Sequence, residues 1–147
     1  MVRVAQLGIA LGALGAMLAF MGLFPGVTGL PPTAGIGILQ IFAILLGFSL
    51  LIAGALIYVK FTFYSASSSN LAQQIGTRLA MTGLVMAAMT GMADVLGFGS
   101  HGSTLNGTIL LGPLQAVGML LSYAVSSLGV LVYAVAGRPE SDEMLEP

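Results

Sequence analysis

Four long apolar stretches dominate the pattern of hydrophobic and polar positions along the chain. A membrane-spanning helix needs about 20 largely apolar residues to cross about 30 Å of hydrocarbon. Four segments have that length and character: residues 4–24, 34–59, 79–98 and 108–136. The pattern therefore predicts an all-α integral membrane protein with four transmembrane helices.

Turn-rich breaks join these stretches in pairs. Residues 25–35, PGVTGLPPTAG, contain three prolines that cannot continue a helix, and residues 97–107, GFGSHGSTLNG, are rich in glycine and serine. In the polar segment between the pairs, Asn70 and Gln73 have the spacing of a capping box, so we expect the third helix to begin there, before its apolar run. The predicted organisation is a first hairpin over 1–61, a polar linker over 62–77, a second hairpin over 78–136 and an acidic tail over 137–147.

The second hairpin repeats the first. At a constant offset of 75 residues, 16 of 58 positions are identical between 3–60 and 78–135, where a chain of this composition would give roughly 5 by chance. Each hairpin has two spans, so the copies share one orientation and should be related by a pseudo-two-fold axis along the membrane normal. We expect the first and third helices to pack against each other through small residues such as Gly8, Gly12 and Gly83.

Composition excludes several classes of protein. Charged residues make up 6% of the chain, against about 25% in soluble proteins, which is too few for a water-exposed surface. A net charge of −1 without a basic stripe argues against a nucleic-acid partner. Cysteine is absent, which excludes disulfides, thiolate metal sites and thiol catalysis. The expected surroundings are the lipid bilayer.

Basic residues predict the orientation of the chain. Arg3, Lys60, Arg78 and Arg138 all fall at span ends that belong to one side, and the two hairpin loops on the other side carry none. Because lysine and arginine accumulate on the cytoplasmic side, we expect both termini, the linker and the acidic tail to be cytoplasmic.

A matched pair of amides lies in the second and fourth spans. Gln40 and Gln115 are expected about two turns, or roughly 10 Å, inside the outer ends of these spans. An amide in hydrocarbon needs a hydrogen-bond partner. The pair is therefore interpreted either as interhelical polar contacts or as the lining of a polar path.

Two further matched pairs lie near the inner ends of the spans. Tyr58 and Tyr133 fall at the inner interface, where amphipathic rings anchor a helix. Arg3 and Arg78 are expected to extend to the cytoplasmic headgroups. The alternative for the arginines is contact with an anionic lipid or a protein partner, so these four residues form the predicted lipid or partner interface.

Asp94 and His101 are the ionisable residues of the outer half, and the repeat does not match either of them. An acidic residue in or near the membrane is a hypothesis of function, but Asp94 could instead accept hydrogen bonds from the backbone of the Gly/Ser loop. His101 could ligate a haem or a pigment magnesium, or could simply be solvated. These two residues are the candidates for cofactor binding, and the cofactor itself is unknown.

In topology the duplicated hairpin resembles the rotary-ATPase proteolipids. The defining feature of that family is a carboxylate in the middle of the second or fourth span, together with a polar connecting loop. Here the second and fourth spans contain no acid, and the loops are PGVTGLPPTAG and GFGSHGSTLNG. The resemblance therefore covers topology alone and implies no proton-carrying function.

The sequence predicts a membrane subunit without catalytic activity, because the convergent acid, base, nucleophile or metal groups of an enzyme are missing. We expect it to pack within a larger membrane complex or against copies of itself. One alternative is a small channel or carrier with a polar path between the hairpins; another is a subunit that carries a pigment or cofactor. The channel alternative requires a set of polar side chains to converge on a water-accessible axis: Gln40, Ser49, Gln115, Ser122, Ser126 and Ser127.

Overall fold

The computed structural model describes residues 2–29, 36–65, 68–99 and 111–136, and within these ranges it is helical and contains no strand. Its four α-helices, in chain order, are α1 (Val2–Leu23), α2 (Ile38–Phe63), α3 (Leu71–Gly91) and α4 (Pro113–Val135). A short 3-10 turn, Pro25–Thr28, follows α1. The predicted all-α architecture is confirmed for the described ranges, whereas the acidic tail and most of the two hairpin loops lie outside them.

Three of the four helices, α1 from Arg3, α2 and α4, are long and apolar enough to cross a membrane. This finding indicates a membrane protein, with three candidate spans in the described ranges against the four predicted. Helix α3 is not among them, because its first turns carry Gln73, Gln74, Thr77 and Arg78. Its apolar part is also shorter than the predicted 79–98, since the helix ends at Gly91 and residues 92–97 form turns.

Helix α3 begins at the predicted capping box. The Asn70 side chain accepts a hydrogen bond from the Gln73 backbone N–H at 2.8 Å, and Gln73 Oε1 accepts one from the Asn70 N–H at 3.2 Å. Each side chain thus satisfies a backbone donor that the helix itself leaves free. Residues 71–77, the end of the segment interpreted as a linker, are the first two turns of α3.

Helices α1 and α2 pack through direct backbone contact at glycines. A Cβ atom added at Gly15 would lie 2.5 Å from the Gly47 carbonyl oxygen and 2.5 Å from the Leu51 nitrogen. A Cβ added at Gly54 would lie 2.6 Å from the Gly8 oxygen and 2.6 Å from the Gly12 nitrogen. No side chain larger than hydrogen fits at these contacts without moving the helices apart.

The same kind of contact holds α3 against α4. A Cβ added at Gly76 would lie 2.7 Å from the Gly129 oxygen, and one added at Gly83 would lie 2.6 Å from the Ser122 oxygen. The expectation that α1 and α3 pack on each other is therefore wrong. Their small faces are already occupied by the helix that follows each of them, and the main contacts between the two pairs are made by α2 with α3 and α4.

An apolar cluster fills the interface between the two helix pairs. The ring of Phe48 in α2 stacks on the ring of Tyr123 in α4, with centroids 4.4 Å apart. Helix α1 contributes nothing to this cluster, and its other face is open, with Met17 63% exposed. The buried members of the cluster are Ile41, Ile44, Leu45, Ala87, Met119 and Tyr123.

The close contacts predict that alanine is tolerated at one glycine of α1 and destabilising at another. Gly15→Ala forces a methyl group against the α2 backbone and should destabilise the fold by about 1–3 kcal/mol, as overpacking does. Gly12→Ala is the control, because its Cβ would meet only Leu51 Cδ1, at 4.0 Å. Thermal unfolding in detergent, followed by circular dichroism, measures both. Equal loss of stability in the two variants would contradict the packing described here.

Candidate functional site

Gln40 helps to cap the N-terminus of α2 and contacts α1. Its Oε1 accepts a hydrogen bond from the Gly37 N–H at 2.7 Å, and its Nε2 donates to the Gly22 carbonyl oxygen at 3.5 Å. Because α2 begins at Ile38 and not at residue 34, this side chain lies in the first turn of the helix. The predicted position two turns inside the span is therefore replaced by a capping position.

Gln115 has the same place in α4 but a different environment. Its Oε1 accepts a hydrogen bond from the Gly112 N–H at 2.8 Å, and the helix begins with Pro113, which has no N–H to satisfy. The side chain is 8% exposed. Its buried Nε2 has no hydrogen-bond partner among the described residues. The two matched glutamines thus make the same capping bond through Oε1. They differ at Nε2, which has an acceptor in Gln40 and none in Gln115 among the described residues.

Asp94 lies in the turns that follow α3 and is half-buried. Its Oδ1 is buried and accepts no hydrogen bond within the described ranges, so the backbone donors expected for it do not reach this oxygen. His101 lies outside the described residues. Cofactor binding by Asp94 and His101 therefore stays a prediction.

The serines of α4 donate hydrogen bonds to backbone carbonyls and not to one another. Ser122 Oγ donates to Gly118 O at 2.7 Å, and Ser127 Oγ donates to Tyr123 O at 2.8 Å, both within α4. Ser126 Oγ donates across to Ala80 O in α3 at 2.9 Å. The interface between α2 and α4 is instead occupied by the stacked rings of Phe48 and Tyr123.

A hydrogen-bonded cluster joins three helix ends at the linker end of the bundle, which we define as the end where α2 and α4 finish and α3 begins. Asn70 Nδ2 donates to Ala136 O at 2.5 Å, and Tyr64 Oη donates to Ala134 O at 2.6 Å. These donors satisfy carbonyls that the last turn of α4 leaves free. Sequence reasoning identified Asn70 as a cap, but its second contact and the role of Tyr64 depend on a helix 66 or more residues away.

The matched tyrosines and arginines do not occupy equivalent positions. Tyr133 is 5% exposed, with its ring centroid 6.3 Å from that of Tyr64, whereas Tyr58 is 36% exposed. Arg3 lies in the first turn of α1, and Arg78 is the eighth residue of α3; both side chains are exposed. The predicted role of all four residues at a lipid or partner interface stays a prediction.

Comparison with known proteins gives no family for this chain: no family model, curated protein or solved structure matches it. Within the described ranges, no group of three His, Cys, Asp or Glu side chains could hold a metal ion.

The linker-end cluster predicts that two substitutions of Asn70 have separable effects. Asn70→Ala removes the cap of α3 and should cost about 1 kcal/mol, and it also removes the bond to Ala136. Asn70→Asp keeps the accepting oxygen and removes only the donor. Amide hydrogen exchange should therefore rise in the first turn of α3 for Asn70→Ala alone, and in the last turn of α4 for both. Identical exchange patterns in the two variants would contradict the dual role.

Proposed function

We propose that this chain is a small, non-catalytic integral membrane subunit that packs within a larger membrane assembly. The observation that carries the proposal is where the polar groups lie. Gln40 and Gln115 cap helices, Ser126 bonds to the neighbouring helix, and apolar side chains separate α2 from α4. This arrangement favours a packing role over a channel or carrier, which needs a continuous polar path.

The surface of α1 supports a role in packing. One face of this helix contacts α2, and the remaining faces expose large apolar side chains, with Leu7 and Ile9 each 56% exposed. In a bilayer, van der Waals contact is what holds such a surface against another helix. We assign the exposed surface of α1, which also includes Leu14, Met17 and Phe20, to contact with a membrane partner.

We also infer that the bundle is a duplicated hairpin with a pseudo-two-fold axis between α2 and α4. A residue near such an axis contacts the equivalent residue of the other hairpin. Two contacts support this: Phe48 stacks on Tyr123, and the Leu111 N–H donates to Ile36 O at 3.0 Å. The members of each pair are 75 residues apart, which is the offset of the sequence repeat.

The packing supports a different offset for the first helix of each hairpin. A Cβ at Gly8 would lie 2.9 Å from Gly54 O and 2.7 Å from Tyr58 N, and a Cβ at Gly76 would lie 2.7 Å from Gly129 O and 2.7 Å from Tyr133 N. These equivalent glycines are 68 residues apart. The difference of seven equals the extra length of the second loop, since residues 92–112 separate α3 from α4 and residues 24–37 separate α1 from α2.

The proposed orientation places the linker end in the cytoplasm. In this cysteine-free chain, Val27→Cys in the 3-10 turn should react with a membrane-impermeant maleimide in intact spheroplasts. Ser68→Cys in the linker should react only after permeabilisation. Both native side chains are exposed, so the side of the membrane on which each cysteine lies decides whether it reacts. The reverse labelling pattern would overturn the orientation.

The proposed role predicts that the purified protein alone is inactive as a transporter. Liposomes that contain it should pass potassium ions and small neutral solutes no faster than protein-free liposomes, because the α2–α4 interface is closed by apolar side chains. An ionophore added at the end shows that the flux assay responds. Flux above the protein-free level that scales with protein content would refute the subunit proposal in favour of a channel or carrier.

Site-specific cross-linking tests the partner directly. Met17→Cys on the exposed face of α1, treated with a maleimide photo-cross-linker in native membranes, should yield one discrete product with another membrane protein or with a second copy. Ala87→Cys is the matched control, because Ala87 is fully buried. Absence of a product at Met17 and at the neighbouring exposed positions Leu14 and Phe20 would count against an assembly.

A further inference from the structure

Three polar side chains form a stripe along one face of α3. Gln74, Arg78 and Thr82 are spaced four residues apart, and all three are exposed. Residues with this spacing lie one above the other on the same face of a helix. We call this stripe the α3 polar face. The residues that border it are apolar and each more than half exposed: Leu71, Ile75, Met81 and Val85.

Arg78 lies deeper in the bundle than Arg3. The close contacts of Gly76 with α4 correspond to those of Gly8 with α2, so these two glycines lie at the same level. Arg78 is therefore level with Ala10, which is seven residues, or about 10 Å, further from the linker end than Arg3. In a bilayer, an exposed charge at that depth is unfavourable unless it is paired.

The described residues supply no acid to pair with Arg78. Asp94 is the acid that they contain, and it lies sixteen residues further along the chain, beyond the end of α3. That spacing corresponds to roughly 20 Å along a helix. A second copy docked symmetrically on this face would bring two arginines together, and like charges disfavour such a contact. The charge on the α3 polar face is therefore complementary to a different protein and not to another copy of this one.

The first hairpin provides an internal comparison. At the same levels of α1 stand Gln6, Ala10 and Leu14, which are also exposed. Only Gln6, the residue nearest the linker end, is polar. The outward surfaces of α1 and α3 therefore suit partners of different chemistry, apolar for α1 and acidic for α3.

We propose that the α3 polar face binds a transmembrane helix of a different protein, with an aspartate or glutamate of that helix paired to Arg78. Such a pair satisfies both charges where water is scarce, and the bordering apolar side chains supply the van der Waals contact that holds membrane helices together. A lipid phosphate would cover only Arg78, whose side chain extends toward the headgroups, and would leave Thr82 a full turn further inside. The inference rests on the proposed subunit role and names the chemistry of the partner.

Zero-length cross-linking in native membranes tests the pairing. Dicyclohexylcarbodiimide enters the bilayer and joins an amine to a carboxylate where the two are in contact. An Arg78→Lys variant should therefore form an amide bond with an acidic residue that peptide mass spectrometry places in a transmembrane segment of another protein. Ala10→Lys, at the same level on α1, is the matched control and should give no such product. A product formed only with the acidic tail, residues 137–147, would overturn the proposal.

Charge exchange tests the pairing independently. Arg78→Ala should lower the amount of partner that co-purifies in mild detergent about tenfold, whereas Arg3→Ala should leave it unchanged, with helix content by circular dichroism as the check on folding. Arg78→Glu should abolish co-purification, and exchanging the cross-linked acid of the partner for lysine should restore it. Failure of that restoration would overturn the proposal. So would an Arg78→Ala variant that loses a bound anionic phospholipid and keeps its protein partner.

The cross-link from Met17→Cys on α1 separates this proposal from the subunit role. If that product forms while Arg78→Lys yields none and Arg78→Ala retains its partner, the acidic partner of α3 is refuted and the subunit role stands. Absence of products from both helices would count against the subunit role itself.

Discussion

Direct contact between helix backbones is the interaction on which the rest of this structure depends. Lipid tails are as apolar as leucine, so burial of apolar side chains does not drive helices together in a bilayer. Glycines at Gly15, Gly54 and Gly76 bring paired backbones close enough for extensive van der Waals contact. The same closeness lets the Ser126 hydroxyl reach the Ala80 carbonyl of the neighbouring helix, a bond that a larger residue at Gly83 would prevent.

Helix termini are the second constraint, because free backbone groups are costly wherever water is scarce. Three helices begin with the same device, a glutamine at the third helical position that accepts from the N–H of the capping residue. At the linker end, Asn70 and Tyr64 donate to the last carbonyls of α4. The Asn70 bond joins the start of α3 to the end of α4, and the Tyr64 bond joins the end of α2 to the end of α4. The linker end therefore stabilises the packing of helices on one another as well as the individual helices.

The two helix pairs use this common framework differently. In the first pair the amide of Gln40 is paired with Gly22, and α1 presents a broad apolar face to the surroundings. In the second pair the buried amide nitrogen of Gln115 has no hydrogen-bond acceptor among the described residues. In the proposed role, the open face of α1 is the surface that contacts a protein partner. The proposed role needs no titratable group inside the bundle.

The sequence by itself determined the helical architecture, the places where the chain turns and the capping box at Asn70 and Gln73, because these depend on local hydropathy and backbone chemistry. It misjudged the starts of α2 and α4 and the end of α3, since hydropathy measures transfer into lipid and not hydrogen bonding at a helix end. It also could not determine which helices the small faces of α1 and α3 would contact. A constant offset of 75 aligns Gly8 with Gly83, whereas the packing relates Gly8 to Gly76. Only the tertiary structure decides between these registers, because two turns of helix shift a glycine along the interface without changing the face on which it lies.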